Sequence, residues 1–279
     1  LNSADAITSG ACNIAIGETA LGAATTGCQN IALGNGALGA GVTTGAFNIA
    51  LGYATADAIT SGGDNISIGR LAFSAATDNT YNIAIGYSAL GNSDGSADCN
   101  VAIGRNALGG ADVSADNNVA IGTNALGSST TGCQNVVIGV NAGENEAAMC
   151  NNIIIGTTAA GGTGNGGSFD NIIMGQVAGC ALSSGQYNVF IGTGAGRNVT
   201  SGHRHTGIGL NAGCSVTTTH CTINIGHDAN STTTNTACIA GLCVMAAQFT
   251  ATSDCRSKKD IKDLPYGLDF INLLRPVSY

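Results

Sequence analysis

Residues 12–52 read CNIAIGETALGAATTGCQNIALGNGALGAGVTTGAFNIALG and contain three nearly identical units. Each unit starts with Asn-Ile-Ala and continues with Ile-Gly or Leu-Gly, and its first residue is Asn13, Asn30 or Asn48. The units follow one another every seventeen or eighteen residues. Repetition at a fixed period is the signature of repeat architectures, so this stretch decides the fold class.

The same unit recurs along most of the chain. Two units keep the frame but have His205 or Thr222 where the others have asparagine. Together with eleven asparagines, spaced by 17 to 19 residues, they make thirteen units. We call these equivalent positions the asparagine column, and its asparagines are Asn13, Asn30, Asn48, Asn65, Asn82, Asn100, Asn118, Asn135, Asn152, Asn171 and Asn188.

The short period predicts an all-β chain in which each unit is one coil of a parallel β-solenoid, with two short strands and two turns. Side chains alternate between the two faces of a strand. We expect isoleucines such as Ile14 and Ile16 to fill the interior, and Ala15, Ala32 and Ala50 to face outward. An outward stripe of alanine would allow close packing against other copies, and we expect a homotrimer.

The corners of the coil carry their own signals. The glycine that closes each motif, Gly17 in the first unit, suits a tight corner with positive φ. A column of asparagine can form a ladder, because each amide can donate to a carbonyl of the next coil while it accepts from another group. The alternative is that asparagine merely tolerates the turn conformation.

Composition excludes several functional classes. Only 9% of the residues are charged, against about 25% in ordinary domains. Residues 1–252 contain thirteen acidic and four basic side chains, which disfavours nucleic-acid binding. No apolar run reaches the roughly eighteen residues of a membrane span, and no motif implies a cofactor.

The eleven cysteines form no zinc-binding pattern. Several lie one or two residues before the asparagine column, and the favoured interpretation is a small buried residue with a free thiol. A disulfide between stacked neighbours such as Cys133 and Cys150 is the alternative, because adjacent coils lie about 4.8 Å apart.

Residues 13–226 resemble the β-roll head of trimeric autotransporter adhesins, whose coils carry a similar Asn-x-Val-Ala-Ile-Gly motif, and the repeat shafts of bacteriophage tail fibres. The resemblance implies an extended trimeric rod. After residue 226 the frame dissolves, so we predict a solenoid shaft over 1–226, a β connector over 227–252 and a separate segment over 253–279.

The last segment is rich in charge, and its apolar residues over 267–274 have helical spacing. It resembles the start of the endosialidase-type intramolecular chaperone domain found at the C-terminus of phage tail spikes and fibres. The matching residues are Ser253, Asp254, Arg256, Lys258, Asp260, Ile261, Gly267, Leu268, Ile271, Leu274, Pro276, Val277 and Tyr279.

This second resemblance implies a domain that trimerises, templates folding of the preceding fibre and then cuts the chain beside Ser253. Ser253 would be the nucleophile and Lys258 the base that activates it. A serine hydroxyl needs such a base, and a lysine can serve when desolvation lowers its pKa. Lys259 could compete, but the family pattern favours Lys258.

Other sites are weaker. His203-Arg204-His205 is similar to the His-x-His motif of some iron-binding fibre tips, and His220, seventeen residues after His203, should stack on it in the next coil; surface or turn roles are favoured over a metal site. No carboxylate pair has the character of a glycosidase site, and no host-directed enzyme activity is predicted. An ice-binding solenoid would need a Thr-x-Thr column, whereas the Thr-Thr pairs here are not kept in every coil.

These observations favour a structural fibre protein of a phage virion, which is extracellular and joined to other virion tail proteins. Its shaft would extend or display a surface that binds a host-cell receptor. The alternative is the head of a bacterial cell-surface adhesin.

Overall fold

The computed structural model describes residues 3–93, 97–110, 114–162, 167–239 and 242–245, the last of these for the backbone only. Most of the expected connector and the whole chaperone-like segment, with Ser253 and Lys258, lie outside these residues. The boundaries expected for those two segments therefore stay predictions.

The described residues form a parallel β-solenoid of thirteen coils, as the period predicts. Fifteen strands form one sheet in chain order, and no helix occurs in the described part of the chain. The first fourteen strands pair in parallel, and the last two form an antiparallel pair. The strands are β1 Ile14–Ile16, β2 Ile31–Leu33, β3 Ile49–Leu51, β4 Ile66–Ile68, β5 Ile83–Ile85, β6 Val101–Ile103, β7 Val119–Ile121, β8 Val136–Ile138, β9 Ile153–Ile155, β10 Ile172–Met174, β11 Val189–Ile191, β12 Thr206–Ile208, β13 Ile223–Ile225, β14 Thr236–Ile239 and β15 Leu242–Met245.

Each of the first thirteen coils contributes one strand of three residues, not the two strands that we expected. The register is uniform, so that Ala15 lies beside Ala32 and Ala32 lies beside Ala50. The rest of the coil consists of turns, which are joined to the neighbouring coil by single hydrogen bonds such as Leu21 N to Ala37 O at 3.0 Å. With about seventeen residues per coil, the turns leave no room for a longer second strand.

The orientation predicted for the strands is wrong. The middle residue of each three-residue strand, β1–β13, points inward, and Ala32 and Ala50 are completely buried. The flanking residues point outward, and Ile14 and Ile16 are 50% and 63% exposed. The inward strand residue is therefore alanine or serine in β1–β7, and isoleucine, valine or leucine forms the outer surface of these strands.

The reason is the volume inside the coil. Six residues after the middle of the strand, the opposite wall contributes a side chain to the same core. In most coils a small strand residue faces a large one, and a large strand residue faces a small one; in Ala50/Ala56 and Gly207/Gly213 both residues are small. The size-matched pairs are Ala32/Leu38, Ser67/Phe73, Ala84/Leu90, Ala102/Leu108 and Ala120/Leu126, and then Val137/Gly143, Ile154/Ala160, Ile173/Gly179 and Phe190/Gly196.

Phe190 shows how closely the two walls are matched. A Cβ atom on Gly196 would lie 2.5 Å from Cδ1 of Phe190. On Gly179 and Gly207, in the neighbouring coils, it would lie 3.3 and 3.1 Å from the same ring. The buried phenyl ring thus excludes a side chain at Gly196 and leaves only tight space for one at Gly179 and Gly207, because a close-packed interior has little spare volume.

The closing glycines form a second column with positive φ, as expected at the corner. Gly17 has φ of 134° and Gly104 has φ of 133°. A Cβ on Gly104 would lie 2.5 Å from the carbonyl oxygen of Gly122 in the next coil. Both the backbone conformation and the closeness of successive coils therefore require glycine here.

The size matching predicts a coupled pair. Gly196→Leu alone should lower the free energy of unfolding by about 3 kcal/mol through overpacking, and Phe190→Ala alone by about 3–5 kcal/mol through a cavity. The double variant restores the alanine/leucine pair of other coils, in which Leu38 adopts a φ of 49°, close to the 59° of Gly196. The loss of unfolding free energy in the double variant should be at least about 2 kcal/mol smaller than the sum of the losses in the two single variants. Urea unfolding of all four proteins measures this, and strict additivity would contradict the matching.

Candidate functional site: the asparagine column and the outer strand face

The asparagine column lies at the corner where the strands begin, and its side chains are buried except for Asn13, which is partly buried. Asn100 is representative. Its Oδ1 accepts from the backbone N–H of Asn118 at 2.9 Å and from Nδ2 of Asn118 at 3.2 Å. Its Nδ2 donates to the carbonyl of Ala115 at 2.7 Å and to Oδ1 of Asn82 at 3.2 Å.

The same contacts recur from coil to coil, so the asparagines form a continuous hydrogen-bonded ladder. Asn30 N–H donates to Oδ1 of Asn13 at 2.8 Å, and Asn188 N–H donates to Oδ1 of Asn171 at 2.9 Å. Each amide also satisfies a carbonyl about fourteen residues along the chain, in the next coil. These buried backbone groups would otherwise lack partners, because the turn interrupts the sheet ladder.

His205 takes over the column position at the end of the ladder. Its N–H donates to Oδ1 of Asn188 at 2.9 Å. Its Nε2 lies 2.6 Å from the carbonyl oxygen of Thr219, which can only accept, so Nε2 carries the proton. Its Nδ1 lies 2.7 Å from the hydroxyl of Thr222. Burial is the main cause that lowers the pKa of His205, and the ring is neutral with both nitrogens occupied.

The three histidines are not brought together as a metal site. His203 and His220 stack in adjacent coils with ring centroids 5.1 Å apart, whereas His205 faces the interior. Among the described residues no group of three or more histidine, cysteine or acidic side chains could hold a metal ion.

One pair of cysteines forms the alternative disulfide, and the other described cysteines are free but mostly not buried. Cys133 and Cys150 form a disulfide between consecutive coils, with 4.6 Å between their Cα atoms. The alternative interpretation therefore applies to this pair. Seven other cysteines are free thiols and are mostly at least partly exposed rather than buried, namely Cys12, Cys28, Cys99, Cys180, Cys214, Cys221 and Cys238.

Glu146 is a buried carboxyl group that no sequence pattern indicated. It lies inside the coil, in the same column as Ser129, and neither of its oxygens nor Oγ of Ser129 has a hydrogen-bond partner. Burial without compensation disfavours the charged form and raises the pKa of Glu146 to about 8. The only sequence signal is its position nine residues after the inward Val137, where the preceding coil has Ser129 and the coil two further along has Leu182.

The outward residues of the strands form a continuous apolar surface, which we call the outer strand face. It consists of the first and third residues of β1–β13, and at these positions only Thr206 is polar. Tyr53, Tyr87, Val140 and Leu210, which follow the closing glycines, border it and are 40–58% exposed.

The predicted dyad of Ser253 and Lys258 lies outside the described residues and stays a prediction. A scan against protein-family models and searches of curated proteins and of solved structures found no match to this chain. In the part of the chain that the structure describes, no helix is long and apolar enough to cross a membrane.

The ladder predicts a strong effect of removing one amide. Asn100→Ala should lower the free energy of unfolding by about 2–4 kcal/mol, because it leaves the carbonyl of Ala115 and the N–H of Asn118 buried without a partner. Asn92→Ala, which removes one exposed hydrogen bond to Gly109, should cost less than about 1 kcal/mol. Chemical denaturation measures both, and equal costs would contradict a structural role of the column.

Glu146 predicts a pH dependence of stability. Below its ordinary pKa of 4.5 the carboxyl is protonated in both states; above it, the unfolded chain loses the proton first, and the folded chain keeps it until about pH 8. The free energy of unfolding should therefore fall as the pH rises from 4.5 to 8. Glu146→Gln should remove this fall and raise the melting temperature at pH 8, whereas Glu144→Gln, a partly exposed control, should not. Parallel profiles of wild type and Glu146→Gln would contradict the burial.

Proposed function

We propose that this chain is a structural fibre protein: a β-solenoid shaft that associates with copies of itself into a homotrimer. In this proposal the rod belongs to the tail fibre of a phage virion, is joined to other tail proteins, and extends or displays a surface that binds a host-cell receptor. Association uses the outer strand face in place of the alanine stripe expected from the sequence.

The observation that carries this proposal is the size of the exposed apolar surface. Thirteen coils at about 4.8 Å each make a face about 60 Å long, and its two columns lie about 7 Å apart. This face is at least about 400 Å² before side-chain width is added, whereas soluble monomers rarely expose contiguous apolar patches above a few hundred Å². Burying Ile16, which is 63% exposed, would alone contribute about 1–2 kcal/mol.

Cyclic association fits the form of this surface. Because the outer strand face runs along the whole rod, rotation about an axis parallel to the rod brings equivalent coils of each copy to the same height. Three copies are what the resemblance to trimeric adhesin heads and phage shafts implies. A closed ring also covers the face of every copy, which an open array would not.

The second candidate is a bacterial surface adhesin head, which would use the same trimeric rod. The Ser253–Lys258 segment favours the phage fibre, because its pattern is similar to that of a self-cleaving fibre chaperone. The solenoid itself supports both candidates equally.

Native mass spectrometry of the natural full-length protein tests the proposal. We expect trimers, and we expect Ile103→Asp combined with Ile121→Asp to yield monomers with unchanged circular dichroism, because the carboxylates would be buried in the interface. Thr131→Asp, an exposed change on a bend, is the matched control and should leave the trimer intact.

The same spectra also report the mass of the subunit. We expect the mass of a chain that ends beside Ser253 in the wild type, and the mass of the uncut chain in Ser253→Ala. Monomeric wild type would refute the association, and normal processing of Ser253→Ala would refute the assignment of the nucleophile and with it the preference for the phage fibre.

A further inference from the structure

A cavity of about 280 Å³ opens on the outside of the last coils of the rod. Residues from two neighbouring columns on three successive coils line it. Gln186, His203 and His220 lie two residues before the asparagine column position, and Tyr187, Arg204 and Cys221 lie one residue before it. The seventeen-residue period therefore brings these six side chains together.

The backbone fixes the two imidazoles of this cavity in one tautomer. The N–H of Gln186 donates to Nδ1 of His203 at 2.9 Å, and the N–H of His203 donates to Nδ1 of His220 at 3.1 Å. A ring nitrogen that accepts carries no proton, so in each neutral ring Nε2 is the donor. The rings are nearly parallel, with an angle of 8° between their planes and 5.1 Å between their centroids, so the two imidazoles present their remaining donors as a stacked pair.

The electrostatic environment is positive, although the body of the chain is acidic. No acidic side chain lines the cavity. Arg204 is exposed, and the one ion pair among the described side chains joins His227 to Asp228 instead. Desolvation is the main cause that lowers the pKa of His203, and the neighbouring His220 and the cationic Arg204 lower it further. Neighbouring donors and a positive charge without a counterion suit an anion.

We propose that this cavity binds an oxyanion, a carboxylate or phosphate group of a small ligand, through Nε2–H of His203 and His220 and the guanidinium of Arg204. Tyr187, which is 53% exposed at the rim, supplies a ring against which the rest of the ligand can pack. The six residues belong to one chain, so the site does not depend on the proposed association.

A metal ion fits the same cavity poorly. Coordination needs an unprotonated ring nitrogen, but each Nδ1 accepts a backbone hydrogen bond and each Nε2 carries the proton. Arg204 would also repel a cation. The cavity therefore favours a negatively charged ligand over the metal that paired histidines suggest in the sequence.

Histidine-detected NMR on the full chain at pH 7 and low salt tests this proposal. The probes are inorganic phosphate and glucuronate, with glucose as the neutral control. We expect saturable shifts of the His203 and His220 resonances with a Kd below roughly 10 mM for at least one anion, and no shift with glucose. The bound anion should also raise the pKa of His203, because it replaces positive neighbours with a negative one. Saturation by phosphate alone identifies a tetrahedral group, and saturation by glucuronate alone identifies a carboxylate.

Arg204→Gln should weaken binding at least tenfold, whereas Arg197→Gln, which removes an exposed arginine outside the cavity, should not. His220→Gln is a second variant in case Arg204→Gln alters the fold, which circular dichroism reports. Absence of saturable shifts with both anions would overturn the proposal. Equal binding by the wild type and by both cavity variants, or specific broadening by Zn²⁺ without anion binding, would overturn it as well.

Discussion

Between the middle of a strand and the wall that faces it, the lumen of most coils has room for only one large side chain, and this constraint determines the structure around it. Where Leu108 fills the space from one wall, the strand can present only Ala102 from the other. The larger strand residues must then point outward, whatever their hydrophobicity. The narrow core thus produces the apolar outer strand face, and a rod built this way exposes surface that a wider solenoid would bury.

The asparagine ladder satisfies the buried backbone groups at the corner of the coil. A thin coil has little apolar area with which to offset unsatisfied backbone groups, so its turn must satisfy its own hydrogen bonds. Asn100 does this with four side-chain bonds that reach the coils on both sides. His205 preserves the bond to Asn188 and adds contacts to Thr219 and Thr222, so the ladder can end without leaving a buried donor unpaired.

The repeat was enough to predict the number of coils, their parallel register and the positive φ of Gly17. Alternation in Ile-Ala-Ile marks two faces but does not say which one is inside, and hydrophobicity alone selected the wrong one. The sequence does contain a signal for the inner residue: a large Phe190 is followed six residues later by Gly196, whereas a small Ala120 is followed six residues later by Leu126. This exchange of sizes would have identified the middle residue of the strand as the inner one. Glu146 and the cavity at His203 could not be predicted, because finding them requires knowing which turn residues stack in one column. The turns differ in length between coils, so the sequence does not show this alignment directly. Ser253 and Lys258 stay predictions from pattern alone.

The outer strand face has a consequence for assembly. Its columns are isoleucine, valine or leucine at nearly every coil, so two copies displaced by one coil, about 4.8 Å, bury almost the same surface. Hydrophobic burial is non-directional and cannot select one axial register among such alternatives. Irregular positions such as Thr206 in β12 discriminate weakly. A shaft of this kind needs register set from one end, which is the role that resemblance assigns to a trimeric chaperone beginning near Ser253. In this proposal the near-identical coils leave the axial register of the trimer undetermined, and the removable template sets it.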